Sequence, residues 1–192
     1  LETAVMKYTA ARTLDPVNPE AESALQRIKF QQRHRKYQES MSLGFSALKM
    51  QTFSKAKRLF EAAQNYNDSP AVQQALQQAE NGLLNAELVG LINQGHGASE
   101  NENWEQAEFF YKQAAKRDSG LVEIAILSTN AKKRWALDKE LERVLSFPLG
   151  ISISNGYTNA TVILERSEDI MVKGKRLSGQ IARLKSEIEL AQ

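Results

Sequence analysis

The sequence predicts an all-α fold, arranged as an array of helical repeats with long first helices and a C-terminal αα-hairpin that caps the array. Three observations predict it. The 192 residues include only ten Gly and four Pro, and 42% are hydrophobic, which favours packed helices over a turn-rich β fold. Apolar residues recur at helical spacing along most of the chain. A long segment is also repeated without a gap.

The repeat relates residues 19–69 (the first copy) to residues 70–120 (the second copy) at a constant offset of 51. Small, aromatic and turn-forming residues coincide at this offset, which identifies the positions that matter for packing. The matched pairs are Pro19 with Pro70, Ala24 with Ala75, Leu25 with Leu76, Gly44 with Gly95, Phe53 with Trp104, Ala56 with Ala107, Phe60 with Tyr111 and Ala63 with Ala114.

Each copy contains a small-aromatic-small stripe, which is Ala56, Phe60 and Ala63 in the first copy. Spacings of four and three place these residues on one face of a helix, where Ala lets a partner helix approach closely. The same stripe occurs near the N terminus, without a first helix before it. This N-terminal stripe is Ala4, Tyr8 and Ala11, and we expect the half-repeat either to fray or to associate with another copy of the chain through residues 1–30.

These motifs resemble the tetratricopeptide repeat. Units of that family have 34 residues, a Leu-Gly pair on the first helix, and an aromatic residue and a small-aromatic-small stripe on the second helix. The windows 37–70 and 88–121 contain this pattern, with Leu43-Gly44 and Phe53 in the first window, whereas the second window has Gln94 in place of the Leu. The offset of 51 exceeds 34 by 17 residues, so each first helix is expected to be longer by about 26 Å.

Residues 20–50 contain one Gly and no Pro, which predicts one long helix, whereas Asn81-Gly82 leaves a break possible in the second copy. The array is predicted to occupy residues 1–146, and a C-terminal helical hairpin or cap residues 147–192. Beyond the break at Phe147 to Gly150, the pattern predicts a helix over 158–171, a turn at 173–175 and a last helix. The apolar stripe of that helix is Leu177, Ile181, Leu184 and Ile188.

The resemblance also implies a partner-binding groove on the inner face of the first helices. Members that hold a peptide's terminal carboxylate carry Lys and Asn at two groove positions, where this chain has Met41 and Phe45 in the first copy. We therefore expect an apolar groove, or plain packing against the long helices. The groove positions are Gln38, Met41, Phe45, Leu48 and Lys49 in the first copy, and Val89, Ile92, His96, Ser99 and Glu100 in the second.

Basic runs give a second set of candidate binding residues, because clustered cations can attract phosphate or other anions. The alternative interpretation is a solvated helix surface. The chain has 25 basic and 23 acidic residues, which gives a net charge of +2. Such a small positive charge argues against nucleic acid as the partner. The candidates are Arg33, His34, Arg35 and Lys36, a run at 55–58, and Lys132, Lys133 and Arg134.

Candidate catalytic and metal sites are not found in the sequence. With no Cys and two His in separate segments, thiolate chemistry and a multi-histidine metal site are excluded. Gly95-His96-Gly97 lacks the rest of a phosphate-binding loop, and His96 is interpreted as a loop or helix-end residue. The sequence predicts a protein that is not an enzyme and needs no cofactor.

We therefore expect a scaffold that presents an extended helical surface to a protein or peptide partner, or to a neighbouring domain of its own chain. The alternative is a module that binds an anionic polymer, either nucleic acid or cell-wall material, through its basic runs. The C-terminal part is faintly similar to a segment that precedes a PEGA-type module in bacterial envelope proteins. That similarity implies a periplasmic part of a membrane-anchored protein.

Overall fold

The computed structural model describes residues 2–170 and 174–191. Over these residues the prediction of an all-α fold is confirmed, because they form helices and no β-strand. No helix within them is long and apolar enough to cross a membrane. The α-helices are α1 (Glu2–Leu14), α2 (Pro19–Lys49), α3 (Phe53–Gln64), α4 (Pro70–Glu100), α5 (Trp104–Arg117), α6 (Val122–Leu145), α7 (Ser154–Glu168) and α8 (Lys175–Leu190).

The long helices α2 and α4 are each continuous over 31 residues. The helix α2 begins at an Asn18 cap, whose Oδ1 accepts the N–H of Ala21 at 2.9 Å, and Pro19 fills the first helical position, which needs no N–H donor. The possible break at Asn81-Gly82 lies inside α4 and does not interrupt it. Gly82 instead gives room to the ring of Phe53, which a Cβ would overlap.

The small and aromatic positions predicted from the repeat lie in the core. Ala56, Phe60 and Ala63 are fully buried on α3, as are their counterparts at offset 51 on α5. Gly44 lies directly against the ring of Phe60, and Gly95 lies against that of Tyr111 in the same way. The turn after each long helix uses a residue in the left-handed conformation, Gln51 with φ 56° and Glu102 with φ 55°.

The chain divides into two compact units, unit 1 (1–85) and unit 2 (86–192). Unit 1 contains one cluster of buried residues, formed by Met41, Ala47, Ala56, Phe60, Ala63, Val72, Ala75 and Ala79. No described residue of α1 is buried.

In unit 2 the two C-terminal helices share a core with the helices before them. This core includes Trp104 of α5, Leu141 of α6, Ile163 of α7 and Leu184 of α8. The unit boundary therefore differs from the sequence-based boundary at 146/147. The apolar stripe predicted for the last helix is confirmed, with three members buried and Ile181 half-buried.

The described part of the segment between α6 and α8 contains two helices. Pro148–Ser152 forms a short 3₁₀ helix, and α7 begins four residues before the predicted start at 158. It ends at Glu168, before the predicted end at Met171, which lies outside the described residues, as does the turn residue Lys173. Lys175, also predicted in the turn, is already the first residue of α8.

Candidate functional site

A cleft with a volume of about 460 Å³ lies along the middle of α2 in unit 1. We call it the aromatic–basic cleft. One wall comes from α2, and the other from the segment that follows α3. None of its lining residues is acidic, and they are Gln26, Lys29, Phe30, Arg33, His34, Tyr37, Tyr66 and Asn67.

The aromatic part of the cleft is a row of three rings on α2. Phe30, His34 and Tyr37 are spaced by four and three residues, which places them on one face of the helix. The ring centroids of Phe30 and His34 are 6.2 Å apart with planes at 9°, and those of His34 and Tyr37 are 6.4 Å apart with planes at 25°. Phe30 ends the row and is 71% exposed, so its ring is available for contact with a ligand.

Tyr66 holds two basic side chains at the cleft, which are Arg33, a lining residue, and Lys36, which does not line the cleft but packs on the same Tyr66. Arg33 Nη2 donates to the backbone carbonyl of Tyr66 at 3.0 Å, and Lys36 Nζ lies 5.7 Å from the centre of the Tyr66 ring. Both contacts are with uncharged groups, so both side chains keep their positive charge uncompensated. The next residue, Arg35, instead forms an ion pair with Glu39 at 3.2 Å.

Two polar contacts fix the rings in place. The hydroxyls of Tyr37 and Ser69 are 3.0 Å apart, which links α2 to the start of α4. The Nε2 atoms of Gln38 and His34 are also 3.0 Å apart. Because an amide nitrogen only donates, the ring nitrogen of His34 is the acceptor in this hydrogen bond. Gln38, a predicted groove residue, therefore positions a cleft residue.

Sequence reasoning found part of this cleft. The predicted basic run contains two of the lining residues, Arg33 and His34. Phe30 was missed, although its spacing of four from His34 was a signal that could have found it. Tyr66 gave no such signal, because it reaches the cleft from another part of the chain.

The remaining groove positions of the first copy have different roles. Met41 is buried in the core of unit 1 and does not line a groove. Phe45 is exposed on one side and packs its ring edge against Phe60, with centroids 5.2 Å apart. Leu48 packs partly buried against the same core, and Lys49 is exposed.

The groove positions of the second copy mostly serve packing. Ile92 packs half-buried against a core of unit 2, whereas Val89 is exposed. His96 lies near the end of α4, which fits the helix-end interpretation, and its Nδ1 is 3.0 Å from the Tyr111 hydroxyl. Burial raises the pKa of Tyr111, and a hydrogen bond with Ser99 offsets part of that effect.

The C-terminal basic run is not a continuous exposed patch. Lys132 and Lys133 are exposed, but Arg134 is only 6% exposed. The guanidinium of Arg134 lies 5.2 Å from the centre of the Trp104 ring, and burial lowers its pKa. This contact places Arg134 in the packing of α6 against α5 and removes it from the predicted anion patch. In the run at 55–58, Lys57 forms an ion pair with Glu80 at 2.8 Å.

A polar cluster in unit 2 holds the first turn of α8, and sequence reasoning missed it. The carboxylate of Glu102 accepts the backbone N–H groups of Arg176 at 2.8 Å and Leu177 at 2.9 Å. Arg176 Nη2 donates to Asp138 Oδ2 at 2.8 Å. Burial raises the pKa of Glu102, but these N–H donors lower it by more, so it lies below its usual range. We call this arrangement the Glu102 clasp.

A cleft of about 390 Å³ adjoins the Glu102 clasp and includes Trp135 and Lys139 in its wall. Among residues 2–170 and 174–191, no group of three or more His, Cys, Asp or Glu side chains is placed to hold a metal ion. The clasp joins the turn after α4 to α6 and α8, and all of its described contacts are internal to unit 2. We therefore interpret the Glu102 clasp as structural.

Comparison with protein-family models, curated proteins and solved structures finds no significant match for this chain.

Proposed function

We propose that this chain is a non-enzymatic interaction module, built from tetratricopeptide-like helical repeats, that docks a segment of a partner protein on the aromatic–basic cleft. The observation that carries the proposal is the combination of an exposed ring, Phe30, with the uncompensated charges of Arg33 and Lys36. Exposed aromatic and Arg side chains beside a concave surface are typical of protein interaction sites.

The internal repeat supports this proposal. Residues that are needed for packing should recur in both copies, whereas residues that bind a partner need not. Packing residues recur at the offset of 51, as Phe60 and Tyr111 do. The exposed ring and the cations at the cleft do not recur, since Phe30, Arg33 and Lys36 correspond to Asn81, Leu84 and Glu87. A long helix of this type therefore forms without them.

The contacts at corresponding positions differ in charge as well. In the first copy, Lys36 lies over the neutral ring of Tyr66. In the second copy, the corresponding pair is Glu87 and Arg117, which form an ion pair at 2.9 Å. The second copy neutralises its charge at this place, whereas the first copy leaves a positive charge for a partner.

The chemistry of the cleft favours binding over catalysis. Its one His, His34, has Phe30, Tyr37 and Gln38 as neighbours. A catalytic His needs a nucleophile or substrate proton within reach and an orienting group behind it, usually a carboxylate. None of the lining residues is a carboxylate.

The proposal is tested by selecting peptides from a displayed random library and measuring their affinity for variants. Phe30→Ala should weaken binding about tenfold or more, because truncating an exposed aromatic anchor typically costs that much. Phe109→Ala is the matched control, since Phe109 is an aromatic residue of unit 2 that is 52% exposed. Peptides whose affinity is unaffected by Phe30→Ala would contradict docking on this cleft.

A further inference from the structure

We infer that the aromatic–basic cleft takes an acidic peptide segment, in which carboxylate side chains flank one aromatic or large aliphatic side chain. This inference rests on the proposed function and adds the chemical class of the partner. It follows from the charge of the cleft, the geometry of its donors, its exposed ring and its limited length.

The charge of the cleft requires an anionic partner. Between Glu22 and Glu39, α2 carries five Lys or Arg residues and no acidic residue. Glu39 is paired with Arg35, and Glu22 with Arg12 at 3.3 Å, so the flanking carboxylates are already engaged outside the cleft. A ligand carboxylate would thus meet the positive side chains without competition from a carboxylate in the cleft wall.

The donors left in the cleft suit a carboxylate. Arg33 uses Nη2 for its contact with the Tyr66 carbonyl, which leaves other N–H groups of the guanidinium for a ligand. A planar guanidinium fixed at one end is well prepared to bind a carboxylate through two parallel hydrogen bonds. Lys36 and Lys29 add point charges on either side of Arg33 along α2.

The apolar part of the partner would contact Phe30. The ring of Phe30 also lines a smaller cleft on its other side, together with Gln26, Arg27 and Gln31. Phe30 therefore stands between two concave surfaces, each with a cation in its wall. A peptide that crosses this ring would place an apolar side chain on it and acidic side chains before and after it.

The limited length of the basic segment favours a short peptide over a polyanion. Glu22 and Glu39 bound the segment, and they are about 26 Å apart along the helix at 1.5 Å per residue. An extended peptide of about eight residues spans that distance at about 3.3 Å per residue. A nucleic acid or cell-wall polymer would gain from a longer continuous basic track, but α2 carries acidic residues on both sides of this segment.

The test uses three fluorescein-labelled probes: a ten-residue peptide with four Glu around one Trp, the same peptide with Gln in place of Glu, and a ten-nucleotide oligothymidylate. The acidic peptide should bind the chain at least tenfold more tightly than the Gln peptide, and more tightly than the oligonucleotide. The double variant Arg33→Gln/Lys36→Gln should weaken binding of the acidic peptide at least tenfold. The control Lys132→Gln/Lys133→Gln removes the same charge from exposed residues of unit 2 and should leave it unchanged.

Each other outcome overturns a defined part of the argument. If the Gln peptide binds equally well and Phe30→Ala weakens it, the proposed function stands and the acidic partner is wrong. Tighter binding of the oligonucleotide, lost in Arg33→Gln/Lys36→Gln, would replace the acidic peptide by an anionic polymer. If the probes bind but no cleft variant alters their binding, or if no probe binds, both the proposed function and the acidic partner are wrong. Circular dichroism checks the fold of each variant, and Lys29→Gln, which removes no described hydrogen bond, substitutes if the double variant unfolds.

Discussion

Gly44 and Gly95 mark the places where a long helix comes closest to the ring that follows it in the chain. A Cβ at Gly44 would overlap the ring of Phe60, and one at Gly95 the ring of Tyr111. Gly90 lies on α4 in a different setting, since a Cβ there would meet no atom within 4 Å. The three glycines thus share a helical backbone and differ only in what surrounds them.

The variant Gly44→Ala should lower the free energy of unfolding by about 1–3 kcal/mol, because the added methyl group forces the Phe60 ring or the helix to move. The control Gly90→Ala should raise it by about 0.5–1 kcal/mol, because Ala is the better helix former and nothing obstructs it. Urea unfolding followed by circular dichroism measures both. A stability of Gly44→Ala equal to that of Gly90→Ala would show that the close contact with Phe60 is absent.

Residues on one helix were predicted better than residues brought together from several. The stripe of Ala56, Phe60 and Ala63 follows from spacing alone, because all three lie on α3 and share one face. The aromatic–basic cleft was found only where it lies on α2. Tyr66 and the Glu102 clasp depend on contacts across 33 and 74 residues of sequence, which helical periodicity does not encode.

At the scale of the element, α8 depends on a carboxylate from outside its own sequence. The residue before it is Gly174 with φ 103°, which has no side chain that could cap the helix. The first N–H groups of a helix lack partners within the helix, so they need an acceptor from elsewhere. Glu102 is that acceptor, and its negative charge also suits the positive end of the α8 dipole.

The variant Glu102→Gln should destabilise α8 by about 1–2 kcal/mol at pH 7, the usual cost of losing a good N-terminal cap. The native pKa of Glu102 lies below the ordinary value of 4.5, so the stabilisation is fully present above about pH 4.5. It is lost as the pH falls through the native pKa, because protonation removes the charge. The difference between wild type and Glu102→Gln should therefore disappear in acid.

Hydrogen exchange of the α8 amides at pH 5–7 and circular dichroism in acid measure these two effects. Glu165→Gln on α7 is the control, since Glu165 is exposed and has no described hydrogen bond or ion pair. Equal protection of α8 in wild type and Glu102→Gln would mean that the clasp does not hold the helix.

At the scale of the molecule, the two units have separate cores with corresponding positions. Ala56 is fully buried in unit 1 and Ala107 is fully buried in unit 2, at the offset of 51. For the repeat architecture proposed above, stability would be approximately the sum of the stability of each repeat and the interactions between neighbours. Each unit is therefore expected to have its own unfolding midpoint, although α4 contributes residues to both.

The matched variants Ala56→Leu and Ala107→Leu test this expectation. Each should destabilise its own unit by about 1–3 kcal/mol, because a larger side chain overpacks a closely packed helix contact. Both Trp residues, Trp104 and Trp135, belong to unit 2, so Trp fluorescence reports the unfolding of that unit, whereas circular dichroism reports both. Ala107→Leu should lower the urea midpoint of the fluorescence transition. Ala56→Leu should leave that midpoint unchanged, but part of the helical circular dichroism signal should be lost at lower urea concentration than in wild type. If both variants shift the fluorescence midpoint equally, the chain unfolds as one cooperative unit. If neither variant shifts either signal, the two alanines are not at close helix contacts.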